Sequence, residues 1–369
     1  MSISTHLATL VAMPTITADT AANAAAINYL ESYLKGRGLQ CTRHEYNGRT
    51  ALTARTSISK ANKPKVSLGG HIDVVPGEPG QFTLQEKGGK LYGRGVYDMK
   101  FAIAGYLQLI DELYEEGTLH EYDFDIAITH DEEASAPLAG VDHLVQIGHR
   151  PEIVILPDST APGWDIEEIA KGWWRFELIA TGKAVHSGRP WEGESASTKL
   201  VEALHELIAH YAGGGPTTDT LNIGSINGGG GIYNSVPDQM VANVEVRLTN
   251  EDSYPRAIKL LDELCAKYGL ARETYTDLVP IRPKLDSPLV DAYRESVKAV
   301  TGRAPKGAIS LGGSDAIFYT SVGIPCVLSC PLGGAHHSPT EWVSKESLEQ
   351  FVPIMRNFLD SVARTAPKN

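Results

Sequence analysis

The chain has 369 residues, of which 42% are hydrophobic and 21% charged, enough apolar sequence for more than one packed core. Its 33 basic and 45 acidic residues leave a net charge of −12, which argues against nucleic acids and anionic membranes as partners. No stretch reaches the roughly 18 apolar residues of a membrane helix, and no basic segment precedes the short apolar run near the N-terminus, so we expect a cytoplasmic protein without a signal peptide.

The first part of the chain alternates helices and strands. Apolar residues that recur every three or four positions predict helices at 18–39, 101–116 and 139–148. Short apolar runs predict strands at 51–55, 66–70, 123–129 and 152–156. This alternation is typical of an α/β sheet that helices cover on both faces.

The middle of the chain has a different order. It predicts a β-α-β-β-α-β sandwich, with strands at 174–180, 220–225, 240–247 and 272–276 and helices at 197–211 and 253–268. The α/β pattern then resumes, with helices at 290–301 and 345–363 and strands at 307–311 and 325–330. We therefore expect a discontinuous α/β domain at 1–171 and 286–369, with an α+β domain inserted at 172–285.

The cysteines point to a reducing compartment. Cys41, Cys265, Cys326 and Cys330 form no paired metal motif, and we expect buried free thiols. Cys326 and Cys330 fall in one predicted strand, where four residues span about 13 Å, too far for a disulfide bond.

Polar side chains that bind metals follow several predicted strands. His71 comes after the strand at 66–70, and Asp73 lies two residues further on. Because residues two apart point the same way on an extended chain, Asp73 is expected to accept a hydrogen bond from one ring nitrogen of His71. The other nitrogen is then left for a metal. Asp98 stands between a glycine-rich turn and a helix, where it fits either a ligand or a helix N-cap.

Three carboxylates in a row, Asp131, Glu132 and Glu133, follow the strand at 123–129. Carboxylates this close repel one another unless a cation or a shared proton intervenes, so one of them is expected to bind metal while its neighbour handles a proton. Asp158 and the cluster from His336 to Glu341 follow two further strands. Together these residues describe a nitrogen and oxygen site suited to zinc, cobalt or manganese, with one carboxylate able to bridge two ions.

Four motifs occur in order: H-I-D-V-V-P at 71–76, G-R-G-V-Y-D-M-K at 93–100, D-E-E at 131–133 and H-S-P-T-E at 337–341. They resemble the M20 metallopeptidase/amidohydrolase family, which includes acetylornithine deacetylases, succinyl-diaminopimelate desuccinylases, aminoacylases, carboxypeptidases and dipeptidases. The resemblance extends nearly end to end. It implies an α/β zinc-exopeptidase-like catalytic domain with an inserted α+β lid and dimerisation domain.

The resemblance also implies a role for each motif residue. One metal would bind His71 and Asp158, a second would bind Glu133 and His337, and Asp98, followed by a cis peptide bond, would bridge the two. Glu132 would be the general base and Asp73 would orient His71, whereas His336 would be only a neighbour. The implied cofactors are two divalent ions, with zinc expected and cobalt or manganese as alternatives.

The inserted domain carries further motifs of the family. K-A-V-H-S-G-R-P at 183–190 implies that His186 helps polarise the scissile carbonyl, often from the partner subunit of a dimer. N-S-V-P-D at 234–238 and the later Arg247 imply contacts of Asn234 and Arg247 with a substrate carboxylate, and Lys171 is the basic residue where the lid opens. The implied partners are a small-molecule substrate with a free carboxylate and a second copy of the chain, bound through the lid.

The substrate stays open between two classes. We expect hydrolysis of the amide bond of an N-acyl amino acid, as in deacetylases and desuccinylases, with a metallo-dipeptidase or carboxypeptidase as the alternative. Asp158 stands where the deacetylase branch usually carries Glu, and G-G-S-D-A-I at 312–317 lacks the arginine of many relatives.

The sequence argues against two interpretations outside this chemistry. A serine hydrolase with Ser314 as nucleophile is opposed by the lack of any acidic residue between Asp315 and His336. A binding protein without activity is opposed by the presence of all five ligand positions and of Glu132.

Overall fold

The computed structural model describes residues 1–60, 62–134, 140–161, 163–215, 217–231, 233–250, 252–278, 280, 282–310 and 312–364. The chain forms two compact units. The first comprises Met1–Glu168 and Arg282–Asn369, and the second comprises Ile169–Ile281. Among the described residues, no helix combines the length and the apolar character that a membrane span needs.

The elements before Gly172 mix helices and strands, with five consecutive strands between the second and third α-helices. In chain order they are α1 (Ile3–Val11), α2 (Thr20–Lys35), β1 (Gln40–Tyr46), β2 (Arg49–Arg55), β3 (Val66–His71), β4 (Gln85–Lys87), β5 (Lys90–Tyr92), α3 (Lys100–Glu115), β6 (Phe124–Thr129), α4 (Gly140–Gln146), β7 (Ile153–Ile155) and β8 (Ile166–Ala170).

The second unit has the predicted β-α-β-β-α-β order. Its elements are β9 (Gly172–Thr181), α5 (Ala196–His210), β10 (Thr220–Gly228), β11 (Gln239–Leu248), α6 (Ser253–Tyr268) and β12 (Leu270–Leu278). The four strands form an antiparallel sheet in the order β10-β11-β9-β12. Leucines at intervals of three or four, such as Leu200, Leu204 and Leu207 of α5, are buried in the core of this unit.

The first unit is completed by the C-terminal elements. They are α7 (Pro288–Thr301), β13 (Gly307–Ser310), α8 (Ala316–Ser321), β14 (Cys326–Val327), β15 (Gly333–Gly334), β16 (Trp342–Ser344), α9 (Lys345–Glu349) and α10 (Phe351–Val362). The described strands of this unit include a small antiparallel sheet in the order β15-β16-β5-β4.

The main sheet of the first unit positions the candidate site. Its described strands have the order β1-β2-β6-β3-β7-β14, and β6, β3, β7 and β14 run parallel. Every residue of β3 and β6 is buried, as expected for strands covered on both faces. A Cβ on Gly70 would lie 3.4 Å from Met99 Cε and 3.5 Å from Ile103 Cγ1. The start of α3 therefore packs against the end of β3 at ordinary contact distance.

Two predicted elements near the C-terminus are wrong. The single helix expected at 345–363 is α9 followed by α10. Pro353 accounts for the break, because it has no N–H to donate to the carbonyl of Glu349 and its ring crowds that carbonyl. The strand expected at 325–330 ends at Val327. Beyond it, the carbonyl of Leu328 accepts a hydrogen bond from the N–H of Glu167, and that of Cys330 accepts one from the N–H of Trp164.

Other differences are smaller. The sequence did not predict α1, β1, β8, α8 or the small sheet of β15, β16, β5 and β4. Ala139 and Leu311, at the ends of two predicted elements, lie outside the described residues. All four cysteines are free, as expected, but Cys41 and Cys265 are only partly buried.

Candidate metal centre

Ligand-type side chains meet at the carboxyl ends of three adjacent parallel strands. His71 is the last residue of β3 and pairs with Thr129, the last residue of β6. A short 3₁₀ turn, Glu132–Ala134, follows β6, and Asp158 follows β7. Because parallel neighbours end at the same edge of a sheet, these three segments lie side by side.

Asp98 joins this cluster from the start of α3. Its Oδ1 lies 3.2 Å from His71 Nε2 and its Oδ2 lies 3.1 Å from His337 Nε2. The N-cap of α3 is Met99, and no side-chain bond caps the helix, so the N-cap interpretation of Asp98 is wrong. The peptide bond between Asp98 and Met99 is cis, as the family resemblance implies.

Two groups of possible ligands share Asp98. His71, Asp98 and Asp158 form one, and Asp98, Glu133 and His337 form the other. Within each group the ligand atoms lie within 4.8 Å of one another. A carboxylate that contributes one oxygen to each group is the arrangement by which a single residue bridges two cations.

Asp73 and the main chain fix the orientation of His71. The imidazole is 2% exposed, and its Nδ1 lies 3.1 Å from the Asp73 carbonyl oxygen and 3.4 Å from Asp73 Oδ1. The backbone carbonyl is thus the nearer acceptor, where the side chain was predicted. When the Nδ1–H donates to this carbonyl, the lone pair of Nε2 is directed at the cluster.

The three consecutive carboxylates have different environments. Asp131 is buried and accepts a hydrogen bond from the N–H of Gly140 at 3.0 Å, which makes it structural. Glu133 lies 3.0 Å from His337 Nε2, whereas the nearest ring nitrogen to Glu132, His71 Nε2, is 3.9 Å away. Glu133 therefore belongs to one group of possible ligands, and the carboxylate of Glu132 lies beside His71 of the other group without being part of it.

The electrostatics of the cluster favour a bound cation. Burial raises the pKa of Glu132 well above its usual range, and the charge of Asp158 adds to this effect. Burial, reinforced by Asp98, raises the pKa of Asp158 to about 7. Asp158 Oδ2 is also buried without a hydrogen-bond partner among the described residues. Several carboxylates with imidazole nitrogens, including a buried orphan oxygen, make a donor set that fits divalent metal ions.

Without a metal ion, protonated histidines compensate the negative charge of the carboxylates. Burial opposes ionisation of Asp98, but hydrogen bonds from His337 and His71 hold its pKa well below the usual range. The same contacts with Asp98 and Glu133 raise the pKa of His337 to about 10. Since a metal ion requires neutral imidazoles, these protons would be displaced when it binds.

The serine of the rival interpretation has no nucleophilic geometry. Ser314 is buried, and its Oγ accepts a hydrogen bond from the N–H of Ala316 at 3.3 Å, within the turn that starts α8. Its hydroxyl also bonds to the Asp158 carboxylate, and not to a histidine among its described partners. The next residue, Asp315, is a buried carboxylate near this edge of the sheet that sequence reasoning did not assign.

One contact beside the site was not predicted from the sequence. Arg94 and Glu341 form a buried ion pair of 2.8 Å between Nη1 and Oε2. The sequence places Glu341 in the cluster that starts at His336, but it does not predict Arg94 as its partner. Each belongs to a recognised motif, but their separation of 247 positions leaves no local signal for the contact.

The second unit carries the remaining predicted residues. His186 forms an isolated β-bridge with Ser235, and Ser187 donates its N–H to the Asn234 carbonyl at 2.9 Å, so the segments of His186 and Asn234 are neighbours. Arg247 Nε lies 2.8 Å from Glu245, and its guanidinium is 5.3 Å from the ring of Trp173.

Lys171 has its ammonium engaged within the same unit. Its side chain is buried, and Nζ donates to the carbonyl oxygens of Gly215 at 3.0 Å and Thr218 at 2.6 Å. These bonds hold the loop around Thr218 beside the start of β9. Burial lowers the pKa of Lys171.

Comparison with known proteins gives a consistent result. The sequence profile described as peptidase family M20/M25/M40 matches residues 67–361. A succinyl-diaminopimelate desuccinylase of Bordetella avium is 28% identical over 345 residues, covering 88% of this chain and 90% of the relative. One from Rhodospirillum centenum is 27% identical over 363 residues, covering 92% and 93%.

Solved structures share the fold. A tripeptidase from Staphylococcus aureus has a TM-score of 0.82 at 21% identity and covers 98% of this chain and 97% of its own. An M20 family metallo-carboxypeptidase from Sulfolobus solfataricus has a TM-score of 0.78 at 18% identity, with coverage of 97% and 98%.

Proposed function

The chain belongs to peptidase family M20/M25/M40, and on that premise we propose that it is a dinuclear-metal hydrolase that cleaves the amide bond of an N-acyl amino acid. The observation that supports this proposal most strongly is the sharing of Asp98 between the two ligand groups. A deacylase is favoured because the similar sequences that cover about nine-tenths of this chain are named succinyl-diaminopimelate desuccinylases.

His71, Asp98 and Asp158 would hold one ion, and Asp98, Glu133 and His337 the other. Two divalent ions bound there would supply Lewis acidity, which makes a water molecule acidic near neutral pH and polarises a carbonyl group. Mixed imidazole and carboxylate donors suit zinc, and they also accommodate cobalt or manganese.

Glu132 is the general base in this proposal. Its carboxylate lies beside the ligand groups, 3.9 Å from His71 Nε2, and burial raises its pKa, which makes it a stronger base than an exposed carboxylate. Glu132 would take the proton from the attacking water and then deliver it to the nitrogen of the leaving amine. Asp73 holds the tautomer of His71 throughout.

Residues of the second unit would bind the substrate. His186 would donate a hydrogen bond to the oxygen of the scissile carbonyl, a contribution for which loss of one donor commonly costs about 10²–10³ in rate. Arg247, with Asn234 and Lys171, would hold the free carboxylate of the substrate, and the planar guanidinium of Arg247 suits two parallel hydrogen bonds.

The two parts of the chain would divide the work. We assign catalysis to 1–171 and 286–369, and the roles of lid and dimerisation surface to 172–285. A homodimer through the lid is supported by β10, which is an edge strand of nine residues without a charged side chain. Uncharged edge strands are ready templates for pairing with another strand. We place the enzyme in the cytoplasm.

A dipeptidase or carboxypeptidase is the second candidate. Asp158 favours it, because the deacetylase branch usually carries Glu at this position. The shared fold with a tripeptidase and a carboxypeptidase is compatible with either activity.

A substrate panel separates the two. The panel contains N-succinyl-diaminopimelate, N-acetyl-ornithine, N-acetyl-methionine, N-acyl glutamates, dipeptides and tripeptides, assayed with zinc, cobalt or manganese. We expect the highest kcat/KM with an N-acyl amino acid, and a value about 10²–10⁴-fold lower with Glu132→Gln. A kcat/KM at least tenfold higher for a peptide would establish the alternative.

A further inference from the structure

We propose that Arg94 and Glu341 are positioning residues that hold three ligand-bearing segments in register and are required for tight binding of the second ion, the one assigned to Asp98, Glu133 and His337. This inference rests on the proposed function in assuming that two ions bind. Apart from their own ion pair, the two side chains bind backbone groups of the ligand-bearing segments, so the effect of the pair would be exerted through the backbone.

Glu341 closes the loop that carries Asp98. Its side chain is 1% exposed, and Oε1 accepts hydrogen bonds from the N–H groups of Tyr97 at 2.9 Å and Asp98 at 3.2 Å. Oε2 accepts a third from the N–H of Gly95 at 3.1 Å, besides the Arg94 guanidinium. The carboxylate thus fixes the backbone of the bridging residue itself.

Arg94 extends the same fixation to the other two segments. It is 3% exposed, and Nη2 lies 3.1 Å from the Pro76 carbonyl, five residues after His71, and 3.5 Å from the His337 carbonyl. His337 has a left-handed backbone, with φ of 61°, which residues with a side chain rarely adopt without support from their surroundings. One guanidinium therefore joins the segments of His71, Asp98 and His337.

Gln81 links two of the same segments by weaker contacts. Its backbone carbonyl accepts a hydrogen bond from the N–H of Arg94 at 2.8 Å, and its side-chain Nε2 donates one to the Ser338 carbonyl at 3.1 Å. Gln81 lies in a 3₁₀ turn, Pro79–Phe82, without buried residues, so its side chain can be removed with little risk to folding.

The chemistry of the pair indicates that it positions backbone segments, and not that it stabilises the fold. A buried ion pair often stabilises a fold no better than apolar residues of similar size, because both charges must be desolvated. The fork of an arginine, by contrast, holds several acceptors in fixed directions, which the single ammonium of lysine does not reproduce. The group of Asp98, Glu133 and His337 depends on this geometry twice, through the backbone of Asp98 and through that of His337. The group of His71, Asp98 and Asp158 depends on it through Asp98 and, more remotely, through Pro76.

The test is a metal titration of metal-free protein with Co²⁺ or Zn²⁺, followed by calorimetry and by the absorption of bound Co²⁺. The variants are Arg94→Lys and Glu341→Gln, with Gln81→Ala as the mild change. Because outer hydrogen-bond partners of metal ligands typically contribute about 10–100-fold to affinity, we expect the second ion to bind about 10–100-fold more weakly in the first two variants. Gln81→Ala should shift the same step in the same direction by less.

Asp125→Asn is the matched control. Asp125 also forms a buried pair, 2.8 Å from His149 Nε2, but it lies near the start of β6, away from the edge of the sheet where the ligands meet. We expect it to lower thermal stability and leave both metal affinities unchanged.

Three outcomes would overturn the inference. One is a second ion that binds to Arg94→Lys and Glu341→Gln as tightly as to wild type. Another is weaker binding of that ion to Asp125→Asn, in proportion to lost stability. Wild-type protein that binds fewer than two ions would overturn the proposed function as well, which separates the two failures. Should Glu341→Gln not fold, Arg94→Lys and Gln81→Ala still decide the question.

Discussion

Replacing Asp73 by Asn tests how the two ligand groups are linked. Asp73 is fully buried, with Oδ1 3.4 Å from His71 Nδ1 and Oδ2 accepting from Thr17 Oγ1 at 2.8 Å and from the N–H of Glu133 at 3.2 Å. One carboxylate therefore braces a ligand of each group. Asn has nearly the same shape, so Asp73→Asn removes the charge and puts an N–H₂ group where an acceptor is needed.

The magnitude follows from the contact to His71. Two unit charges 3.4 Å apart attract by about 5 kcal/mol at an effective dielectric constant of about 20. That figure is an upper bound, because an imidazole that binds metal is neutral and the Asp73 carbonyl at 3.1 Å remains. The loss is nearer that of one hydrogen bond to a charged group, about 1.5–3 kcal/mol.

We therefore expect metal affinity and kcat/KM to fall about 10–100-fold in Asp73→Asn. Metal titration calorimetry and hydrolysis assays at several metal concentrations measure the two quantities. Thr17→Val is the control, since it removes one neutral donor and should cost about 2–10-fold at most. Wild-type metal affinity in Asp73→Asn would refute the idea that this carboxylate braces the ligands.

Three further predictions concern stability and substrate binding. Burial opposes ionisation of Asp111, but hydrogen bonds, led by the one from Tyr33, lower its pKa to about 2. The ionised carboxylate therefore stabilises the fold above its ordinary pKa, and this contribution is lost as the pH falls through 2. Urea unfolding between pH 2 and 6 should show the loss in wild type, and the pH dependence should disappear in Asp111→Asn. Gly105→Ala should lower the melting temperature, because its Cβ would lie 2.2 Å from Phe351 Cδ1 and overpacking of about 1–3 kcal/mol exceeds the gain of about 1 kcal/mol in helix propensity; an unchanged or higher melting temperature would contradict this. Arg247→Lys should raise KM about tenfold, because it replaces a contact of two hydrogen bonds by one worth about 1.4 kcal/mol less. The control is Arg175→Lys, which alters the other arginine paired with Glu245 and should leave KM unchanged. Equal changes of KM in the two variants would remove Arg247 from the substrate site.

The proximity of the metal-ligand candidates was predictable because it depends on strands with strong local signals. β3 and β6 are short, fully buried strands, and their parallel pairing brings His71 and the segment of Glu132 and Glu133 to one edge. The order of helices and strands in the second unit was equally predictable, since α5 and α6 are clearly amphipathic. In both cases the information lies within one consecutive segment of the sequence.

The features that were missed depend on contacts between distant segments. Nothing near Arg94 signals that it pairs with Glu341, 247 residues later. The choice of the Asp73 carbonyl as the nearer partner of His71 depends on the local path of the backbone, which residue types do not specify. The break between α9 and α10 was predictable in principle from Pro353, but the apolar periodicity continues across it and hides the interruption.

The most direct test of the account is to measure metal content and amide hydrolysis together, on metal-stripped and metal-restored wild type and on Glu132→Gln. We predict two ions bound per chain in both restored proteins, hydrolysis by restored wild type, and a rate about 10²–10⁴-fold lower in the variant, because it keeps the ligands and loses only the base. Equal activity of stripped and restored wild type, or turnover by Glu132→Gln at the wild-type rate, would contradict the account.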